Sequence, residues 1–272
     1  MPELPEVETT CRGLAPHLVG RRIEALTVRD PRLRWPVPSD LPRKLAGHRV
    51  RQLRRRGKYL IFELDRGALI VHLGMSGALR IVPAASIPGK HDHLDWLFEG
   101  GIVLRFTDPR RFGSVHFVTG DPEQHRLLSS LGPEPLSANF TPEGLHRTSR
   151  GRRISIKELL MNSHIVVGVG NIYANEALFR AGIRPRTSAG RISLERYRVL
   201  VECVRDTLKA ALIAGGSSLR DWLHADGSTG YFQQQYFVYD RADEACRRCS
   251  TPIREIRQGQ RASYYCPVCQ RR

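Results

Sequence analysis

The pattern of apolar and polar positions changes along the chain, from one amphipathic helix to short strands and then to helices. The first helix has a single apolar face, whose members are spaced by four, three and four residues: Val7, Cys11, Leu14 and Leu18. From Arg22 to Val118, short apolar runs alternate with glycine and proline, which is typical of strands and turns. This pattern predicts a β-sandwich or barrel with the first helix packed on it.

Beyond residue 122 the apolar spacing becomes helical. Thr141 precedes Pro142 and Glu143, an order typical of a helix start. Further helices are predicted over three ranges: Arg152–Asn162, Asn171–Ala181 and Leu194–Ala214. A strand pair is expected to begin near Gln234 and to lead into the cysteine-rich end.

Together these patterns predict an α+β fold of three parts. Residues 1–122 form an N-terminal β-sandwich domain with flanking helices, with a hairpin at Gly100-Gly101. Residues 123–232 form a helical domain, and residues 237–271, which contain four cysteines, form a small zinc-ribbon domain.

The six cysteines fall into two groups. Cys11 and Cys203 stand alone within helical patterns and are interpreted as small core residues. The other four form two C-x2-C pairs separated by sixteen residues: Cys246, Cys249, Cys266 and Cys269. This spacing predicts one structural Zn²⁺ in a tetrahedral four-sulfur site. The alternative, two disulfides, would need an oxidising compartment. Between the two pairs, the polar stretch Thr251–Tyr265 is broken by Gly259, which suits a β-hairpin.

The net charge of the chain indicates which kind of partner it binds. A formal charge of +16 favours a polyanionic partner, most often nucleic acid, although 38 of the 43 basic residues are Arg, which also fits a biased composition. The five lysines therefore stand out, since an amine can titrate where an arginine cannot: Lys44, Lys58, Lys90, Lys157 and Lys209. No apolar run approaches the ~20 residues of a bilayer span. The N-terminus lacks the features of a signal peptide, so a cytoplasmic location is expected.

The N-terminus also carries candidate chemistry. Loss of Met1 would make Pro2 an N-terminal secondary amine, a group whose ordinary pKa of ~8 leaves part of it neutral near pH 7. Such an amine attacks aldehyde-level carbon to give an iminium, which is a good electron sink for elimination. Glu3 and Glu6 lie beside it in sequence and could move protons.

Several other segments have both a functional and an ordinary interpretation. The glycines of Val167–Asn171 precede a predicted helix, which fits either a phosphate seat or a tight turn. The turn Asp108–Gly113 carries two arginines and Phe112, and fits either a wedge that enters DNA or an ordinary turn closing a strand pair. The turn His72–Gly77 has the same two interpretations: Met75 forms part of a wedge, or the turn is an ordinary loop. From its neighbours alone, Lys58 fits a solvated basic strand better than a reactive amine.

Taken together, the motifs resemble those of the bacterial formamidopyrimidine-DNA glycosylases, the Fpg or MutM group. They occur in order over nearly the whole chain: PELPEVET at 2–9, RRGKYL at 55–60, HLGMSG at 72–77, KHDH at 90–93, TDPRRFG at 107–113, LGPEPL at 131–136, VVGVGNIYANEALF at 166–179 and QRASYYC at 260–266. The resemblance implies that the helical middle contains a helix–two-turn–helix and that the C-terminal ribbon is a zinc finger.

The resemblance also implies an activity. A member of this family excises oxidised purines, chiefly 8-oxoguanine and formamidopyrimidines, from duplex DNA and then nicks the abasic site by β,δ-elimination. Pro2 matches the nucleophile that attacks C1′ of the damaged nucleotide and forms the Schiff base, and Glu3 matches the proton donor that assists ring opening. Lys58 matches the proton donor of β-elimination, and Arg261 the residue assigned to δ-elimination.

DNA contacts follow from the same resemblance. Positions assigned to DNA binding are matched by His91, Arg110, Arg152 and Asn171, and Met75, Arg110 and Phe112 match the side chains that fill the gap left by a flipped-out base. The implied partner is damaged double-stranded DNA, bound by a monomer.

Three departures from the family pattern are local. Arg152 stands where many members have Lys, and the segment Tyr239–Ala245 is more acidic than the usual glycine- and proline-containing version. The variable loop Asp226–Gln234 leaves base selectivity open. An endonuclease VIII-type enzyme for oxidised pyrimidines and a non-catalytic zinc-ribbon binder of DNA damage are the alternatives.

Overall fold

The fold of this 272-residue chain was obtained as a computed structural model, which describes residues 1–217 and 232–271. The chain divides into two compact units. The first is Met1–Ser129 together with the short described stretch 214–217, and the second is Ser130–Ile213 with the described residues from Phe232 onward.

The first unit is built on two four-stranded antiparallel sheets, as the alternation of short apolar runs predicted. In spatial order, one sheet contains β1 (Ile23–Val28), β6 (Asp92–Phe98), β7 (Ile102–Thr107) and β5 (Ala78–Val82). The other contains β2 (Val50–Arg56), β3 (Tyr59–Leu64), β4 (Ala68–His72) and β8 (Ser114–Val118). The predicted hairpin at Gly100-Gly101 joins β6 to β7, with Phe98 opposite Ile102.

An apolar core holds this unit together. Helix α1 (Leu4–Leu18) buries the predicted face, including Cys11, and packs on β2 and β3. The core continues through both sheets, where Phe62, Trp96 and Phe106 are fully buried. A short helix, α2 (Leu41–Leu45), was missed in the sequence because five residues are too few to show a helical period.

Two turns connect the sheets rather than closing a strand pair. His72–Gly77 links β4 in one sheet to β5 in the other, and Asp108–Gly113 links β7 to β8 in the same manner. The prediction that Asp108–Gly113 closes a strand pair is therefore wrong. Apolar runs in neighbouring strands look alike in sequence whether the strands pair with each other or not.

The second unit contains the predicted helices, with changed limits. They are α3 (Pro142–Ser149), α4 (Ile156–Leu160), α5 (Asn171–Arg180) and α6 (Leu194–Ile213). The helix expected from Arg152 begins only at Ile156, after a capping box of Ser155 and Glu158. The backbone just before it pairs elsewhere, since the Ala189 N–H donates to the Ile154 carbonyl at 3.0 Å. Cys203 is half-buried rather than a core residue.

The cysteine-rich end forms the expected hairpin, from β9 (Arg254–Gln258) and β10 (Arg261–Tyr265), with Gly259 in the turn. The strand pair expected near Gln234 is wrong, because Phe232–Gln235 is a single 3-10 turn. A small core joins the ribbon to α5, and Phe179 stacks on Phe237 with ring centroids 5.2 Å apart.

Two predictions are not decided by these elements. The division into three domains at 1–122, 123–232 and 237–271 stays a prediction. Most of the variable loop Asp226–Gln234 lies outside the described residues. Within the described ranges, no helix combines the length and apolar character needed to cross a bilayer.

Candidate active site and zinc centre

The N-terminal residues are held in the first unit by the start of α1. Pro2 is buried and Glu3, at the N-cap position, is 2% exposed. The Glu3 N–H donates to Glu6 Oε2 at 2.8 Å, and Glu6 Oε1 accepts the N–H of Ser217, also at 2.8 Å. Glu6 is fully buried. It therefore fixes the backbone beside Pro2 and couples it to the stretch 214–217.

Lys58 lies at the turn between β2 and β3, the strands on which α1 packs. An ion pair ties helix and strand together here, with Arg55 Nε 2.8 Å from Glu8 Oε2. Burial raises the pKa of Glu8, but hydrogen bonds from Arg55 and Arg12 outweigh it and hold the pKa below its ordinary value. Glu8 thus stays ionised near pH 7, which keeps the pairing intact beside Lys58.

His72 connects the Lys58 turn with the turn that carries Met75. Its ring lies 4.8 Å from that of Tyr59, the residue after Lys58. Burial lowers the pKa of His72 to about 4, and the charges of Lys58 and Arg34 act in the same direction. The neutral imidazole accepts the Gly74 N–H at Nδ1, 3.0 Å away, so the start of the Met75 turn is held by an uncharged acceptor.

Asp108 joins the two turns that connect the sheets. Its side chain is fully buried and accepts the Ser76 hydroxyl at 2.8 Å and the Gly113 N–H at 2.8 Å. The two turns are in close contact: a Cβ on Gly74 would lie 2.4 Å from the Phe112 carbonyl carbon. Gly74 also has a positive φ of 68°. Because only glycine fits there, the two turns form one rigid tip.

This tip presents the three side chains that the sequence singled out for a wedge. Met75 is 37% exposed and Phe112 44% exposed, which is unusual for large apolar side chains with no cover in the described chain. The Arg110 guanidinium lies over the Phe112 ring at 5.0 Å. His91 is close by, since its carbonyl accepts the Asp108 N–H at 2.9 Å. Four of the predicted DNA-binding residues therefore cluster on the first unit.

In the second unit, Asn171 begins α5 directly after Gly170, as the glycine-rich pattern predicted. Its Oδ1 is buried without a hydrogen-bond partner among the described residues. An ionised phosphate has no donor for this oxygen, so the phosphate seat predicted at this helix start stays a prediction. Arg152 is exposed, and its Nε donates to the Thr148 carbonyl at 2.8 Å.

Arg261 is exposed at the first position of β10, beside the hairpin turn. The strand behind it is fixed from two sides. Lys157 Nζ donates to the Ala262 carbonyl at 2.7 Å, and Asn175 Oδ1 accepts the Tyr264 N–H at 2.9 Å. Lys157 is 2% exposed, so this lysine positions the hairpin from inside the second unit.

The four cysteines of the two C-x2-C pairs fit a zinc ion. All four Sγ atoms lie within 4.8 Å of one another, with Cys249 Sγ 3.4 Å from both Cys266 Sγ and Cys269 Sγ. A tetrahedral zinc with bonds of about 2.3 Å needs sulfurs about 3.8 Å apart. Backbone N–H groups of Arg248 and Cys269 point at two of the sulfurs, each at 3.4 Å, as thiolate ligands require.

The structure thus gathers the predicted residues in two groups. The first unit holds Pro2, Glu3, Lys58, Met75, His91, Arg110 and Phe112, and the second holds Arg152, Asn171, Arg261 and the four cysteines. Sequence reasoning singled out Lys157 as one of five unusual lysines but gave no supporting role to it or to Asp108, and it missed Glu176. Glu176 is buried and accepts three backbone N–H groups, from Phe237, Val238 and Tyr239, each at 2.9 Å. The only signal in sequence was a charged residue inside an apolar run.

Three family models match the chain in succession. They are the formamidopyrimidine-DNA glycosylase N-terminal domain over residues 1–115, the formamidopyrimidine-DNA glycosylase H2TH domain over 131–222, and the zinc finger found in FPG and IleRS over 243–272. Together they cover most of the chain, in the order that the sequence motifs predicted.

Full-length relatives agree with the models. The chain is 56% identical over 277 residues to the formamidopyrimidine-DNA glycosylase of Paraburkholderia phytofirmans and 56% identical over 271 residues to that of Methylococcus capsulatus, with all of each chain covered. Among solved structures, MutM (Fpg) of Thermus thermophilus is 38% identical, with a TM-score of 0.89 over 99% of this chain and 98% of that one. A mutant Lactococcus lactis Fpg, in complex with a Fapy-dG containing DNA, is 34% identical, with a TM-score of 0.93 over the whole of both chains.

The sandwich with its N-terminal helix, the helical unit and the four-cysteine ribbon define a zinc-finger DNA glycosylase. The chain belongs to the formamidopyrimidine-DNA glycosylase family. The predicted α+β fold, the predicted family and the predicted structural zinc are confirmed.

Proposed function

We propose that this chain is a bifunctional DNA repair enzyme, which excises oxidised purines such as 8-oxoguanine and formamidopyrimidines from duplex DNA and then nicks the abasic site by β,δ-elimination. The observation that carries the proposal is the N-terminal arrangement: Pro2 stands beside a buried carboxyl group, Glu3, whose backbone is locked by Glu6. The family's activity, held by relatives of 56% identity over the full length, supports it.

Pro2 is the proposed nucleophile. Once Met1 is removed, the Pro2 nitrogen bonds to C1′ of the damaged nucleotide while the glycosidic bond breaks, and the base leaves with a proton. The first product is an adduct with the sugar ring still closed. Protonation of O4′ and cleavage of the C1′–O4′ bond then give the iminium, which draws electrons from the opened sugar and so permits elimination of the 3′ and then the 5′ phosphate. Glu3 is the proposed proton donor for this ring opening, a role worth about 10²–10⁴-fold in rate.

Lys58 is the proposed proton donor of β-elimination, and Arg261 is the residue proposed to act in the δ-elimination step. Lys58 fits the first because it lies at the turn of β2 and β3, on which the N-terminal helix packs. Arg261 fits the second because Lys157 and Asn175 hold its strand rigidly behind an exposed guanidinium. Lys58→Ala and Lys58→Arg separate the roles: a proton donor is lost in both variants, whereas a charge contact survives in Lys58→Arg.

Damaged double-stranded DNA is the proposed partner, contacted by His91, Arg110, Arg152 and Asn171. The exposed Met75 and Phe112, with Arg110 over the Phe112 ring, fill the space of the extruded nucleotide. The +16 charge supplies salt-sensitive attraction to phosphates. We further propose that the chain acts as a monomer and in the bacterial cytoplasm.

A panel of duplexes, each with one lesion, tests the proposal. We expect excision at 8-oxoguanine opposite cytosine and at a formamidopyrimidine, with strand ends that carry phosphate on both sides of the gap. An oxidised pyrimidine belongs in the panel, because a Lactococcus lactis Fpg has been solved with an oxidised pyrimidine containing DNA.

The outcomes divide the alternatives. Preference for oxidised pyrimidines over both purine lesions would favour the endonuclease VIII-type enzyme. Tight binding without any cleavage, in zinc-loaded protein that lacks Met1, would favour the non-catalytic damage binder.

A further inference from the structure

A basic cavity of about 470 Å³ lies within the second unit, apart from every residue proposed above for catalysis or DNA contact. Its walls come from the loop between α5 and α6, the first turn of α6, and the hairpin. Four arginines line it, together with one aliphatic and one aromatic side chain: Arg184, Arg186, Arg191, Arg196, Ile256 and Tyr265.

The charge of this cavity is not balanced by its own lining. No aspartate or glutamate is among the residues that line it. Within residues 1–217 and 232–271, Arg184, Arg186 and Arg191 form no ion pair with a carboxylate. Four like charges around one cavity repel one another, so an anion that enters it gains attraction from all of them.

Arginine is abundant in this chain, and several arginines outside the cavity form ion pairs with carboxylates. Asp95, for example, is shared by Arg29 and Arg105, and Arg54 bonds to both Glu63 and Glu123. What distinguishes the cavity is that four arginines converge on a lining that contains no aspartate or glutamate, and that three of them, Arg184, Arg186 and Arg191, form no ion pair with a described carboxylate.

Two of the four guanidinium groups, those of Arg184 and Arg186, are also held in place before any ligand arrives. Arg184 donates to the carbonyls of Gln270 and Pro267, both at 2.8 Å, and lies over the Tyr265 ring at 5.9 Å. Arg186 donates to the Arg257 carbonyl at 3.1 Å. Neutral carbonyl partners fix the side chains without cancelling their charge, which is the condition for preorganised anion binding.

The loop that supplies these arginines is anchored beside Arg152. Ser188 pairs with Ser155 across an isolated β-bridge, and a Cβ on Gly190 would lie 2.7 Å from the Arg152 carbonyl oxygen. The cavity is thus built on the same backbone as a proposed DNA contact, yet its lining is separate from that contact.

We propose that this cavity is a second anion site, which binds a ligand with two or more phosphate groups. Arginine forks match phosphate oxygens in pairs, and a volume of about 470 Å³ exceeds the needs of one small ion and lies within the usual range for small-molecule sites. The phosphates come either from a nucleic-acid backbone or from a free polyphosphate. The inference rests on the cavity's own chemistry and holds whether or not the lesion chemistry proposed above is correct.

The test uses the full-length, zinc-loaded protein and its Arg186→Ser/Arg191→Ser variant. Both side chains are exposed, so their removal should leave zinc content and the unfolding midpoint without ligand unchanged. The matched control is Arg12→Ser/Arg198→Ser, which removes the same charge from exposed helix positions that are already paired with Glu8 and Glu195. Arg191→Ser alone serves if the double variant folds poorly.

Two readouts distinguish the sources of phosphate. If the ligand is a free polyphosphate, inorganic pyrophosphate at constant ionic strength raises the unfolding midpoint of the native protein and the control saturably, but not that of the cavity variant. If the ligand is a nucleic-acid backbone, the slope of log affinity against log salt for an undamaged duplex falls by about two in the cavity variant relative to the control. The proposal is overturned if the cavity variant and the control behave alike in both assays.

Discussion

The two units hold their functional groups by different means. In the first, an apolar core runs from α1 through both sheets, and Phe106 lies beneath both turns of the exposed tip. In the second, the hairpin that bears Arg261 adds only a small core of its own, and two members of that core are the ligands Cys246 and Cys266. Apolar burial therefore supports the first site, whereas the ribbon depends on its metal.

This contrast shows that two exposed side chains can be held in place by different kinds of interaction. The exposed Phe112 depends on what is buried beneath it, and the exposed Arg261 depends on polar and metal contacts behind it. Perturbations that separate the two kinds of interaction should affect one unit and spare the other.

Zinc removal should give the largest separation. Cys249→Ser, or a strong chelator, should unfold the ribbon, because structural zinc supplies about 10–16 kcal/mol of folding free energy in zinc-finger peptides. Limited proteolysis should then cut within 243–271 while Met1–Ser129 stays resistant. Cys203→Ser is the control, since Cys203 is half-buried and outside the cluster. Equal zinc content and equal resistance in the two variants would refute the dependence on metal.

Removal of one aromatic ring from the core of the first unit should destabilise that unit and spare the ribbon. Phe106→Ala should destabilise the first unit by about 3–5 kcal/mol, because it leaves a cavity under both turns, and should leave zinc affinity unchanged. Phe112→Ala is the control from the same tip: this ring is 44% exposed, so its loss should change unfolding by urea little. A comparable loss of stability in the two variants would count against the described support of the tip.

A smaller change at the tip should affect binding more than folding. Asp108→Asn replaces an acceptor by an amide that cannot accept both the Ser76 hydroxyl and the Gly113 N–H, at a cost of about 1–3 kcal/mol. Duplex affinity should fall as the turns shift, and Ser76→Ala should show the same effect more weakly. Unchanged affinity in Asp108→Asn would contradict the role of this carboxylate as the link between the turns.

Acid should weaken the first unit through its histidines. Burial lowers the pKa of His72 and of His116 to about 4, below the ordinary 6.5, so the unfolded chain binds protons that the folded one does not. Stability should fall as the pH drops from about 6.5 towards 4, by up to about 2 kcal/mol near pH 5 for His72 and less for the more accessible His116. Urea unfolding should show a shallower pH dependence in His116→Gln and an unchanged one in His17→Gln, whose ring is exposed. Identical profiles would rule out the contribution of His116.

The sequence predicted those elements whose sequence patterns lie within a short stretch of the chain. The apolar face of α1, the hairpin at Gly100-Gly101 and the two cysteine pairs each lie within a short window, where spacing reflects structure directly. Sheet membership did not follow, because Asp108–Gly113 joins strands of different sheets and pairing is decided over long range. The supporting carboxylate of Asp108 escaped notice for the same reason, since its partner Ser76 is far away in sequence.

The acidic segment that leads into the ribbon shows how a departure in sequence can preserve backbone shape. Asp240 and Asp243 adopt positive φ angles of 57° and 64°, conformations that favour glycine but that aspartate tolerates better than most residues. Asp243 then pairs with the ribbon through its N–H, which donates to the Ile253 carbonyl at 2.9 Å. The acidic segment therefore still gives the backbone a path that leads into the first cysteine pair.

The measurement that bears most directly on the account is borohydride trapping on a duplex with one 8-oxoguanine opposite cytosine, followed by mass mapping of the attachment point. A covalent adduct on the Pro2 nitrogen is the predicted result, and it would establish Met1 removal, the amine nucleophile and the lyase chemistry together. An adduct on another residue such as Lys58, or none in zinc-loaded protein that lacks Met1 and binds the duplex tightly, would contradict it.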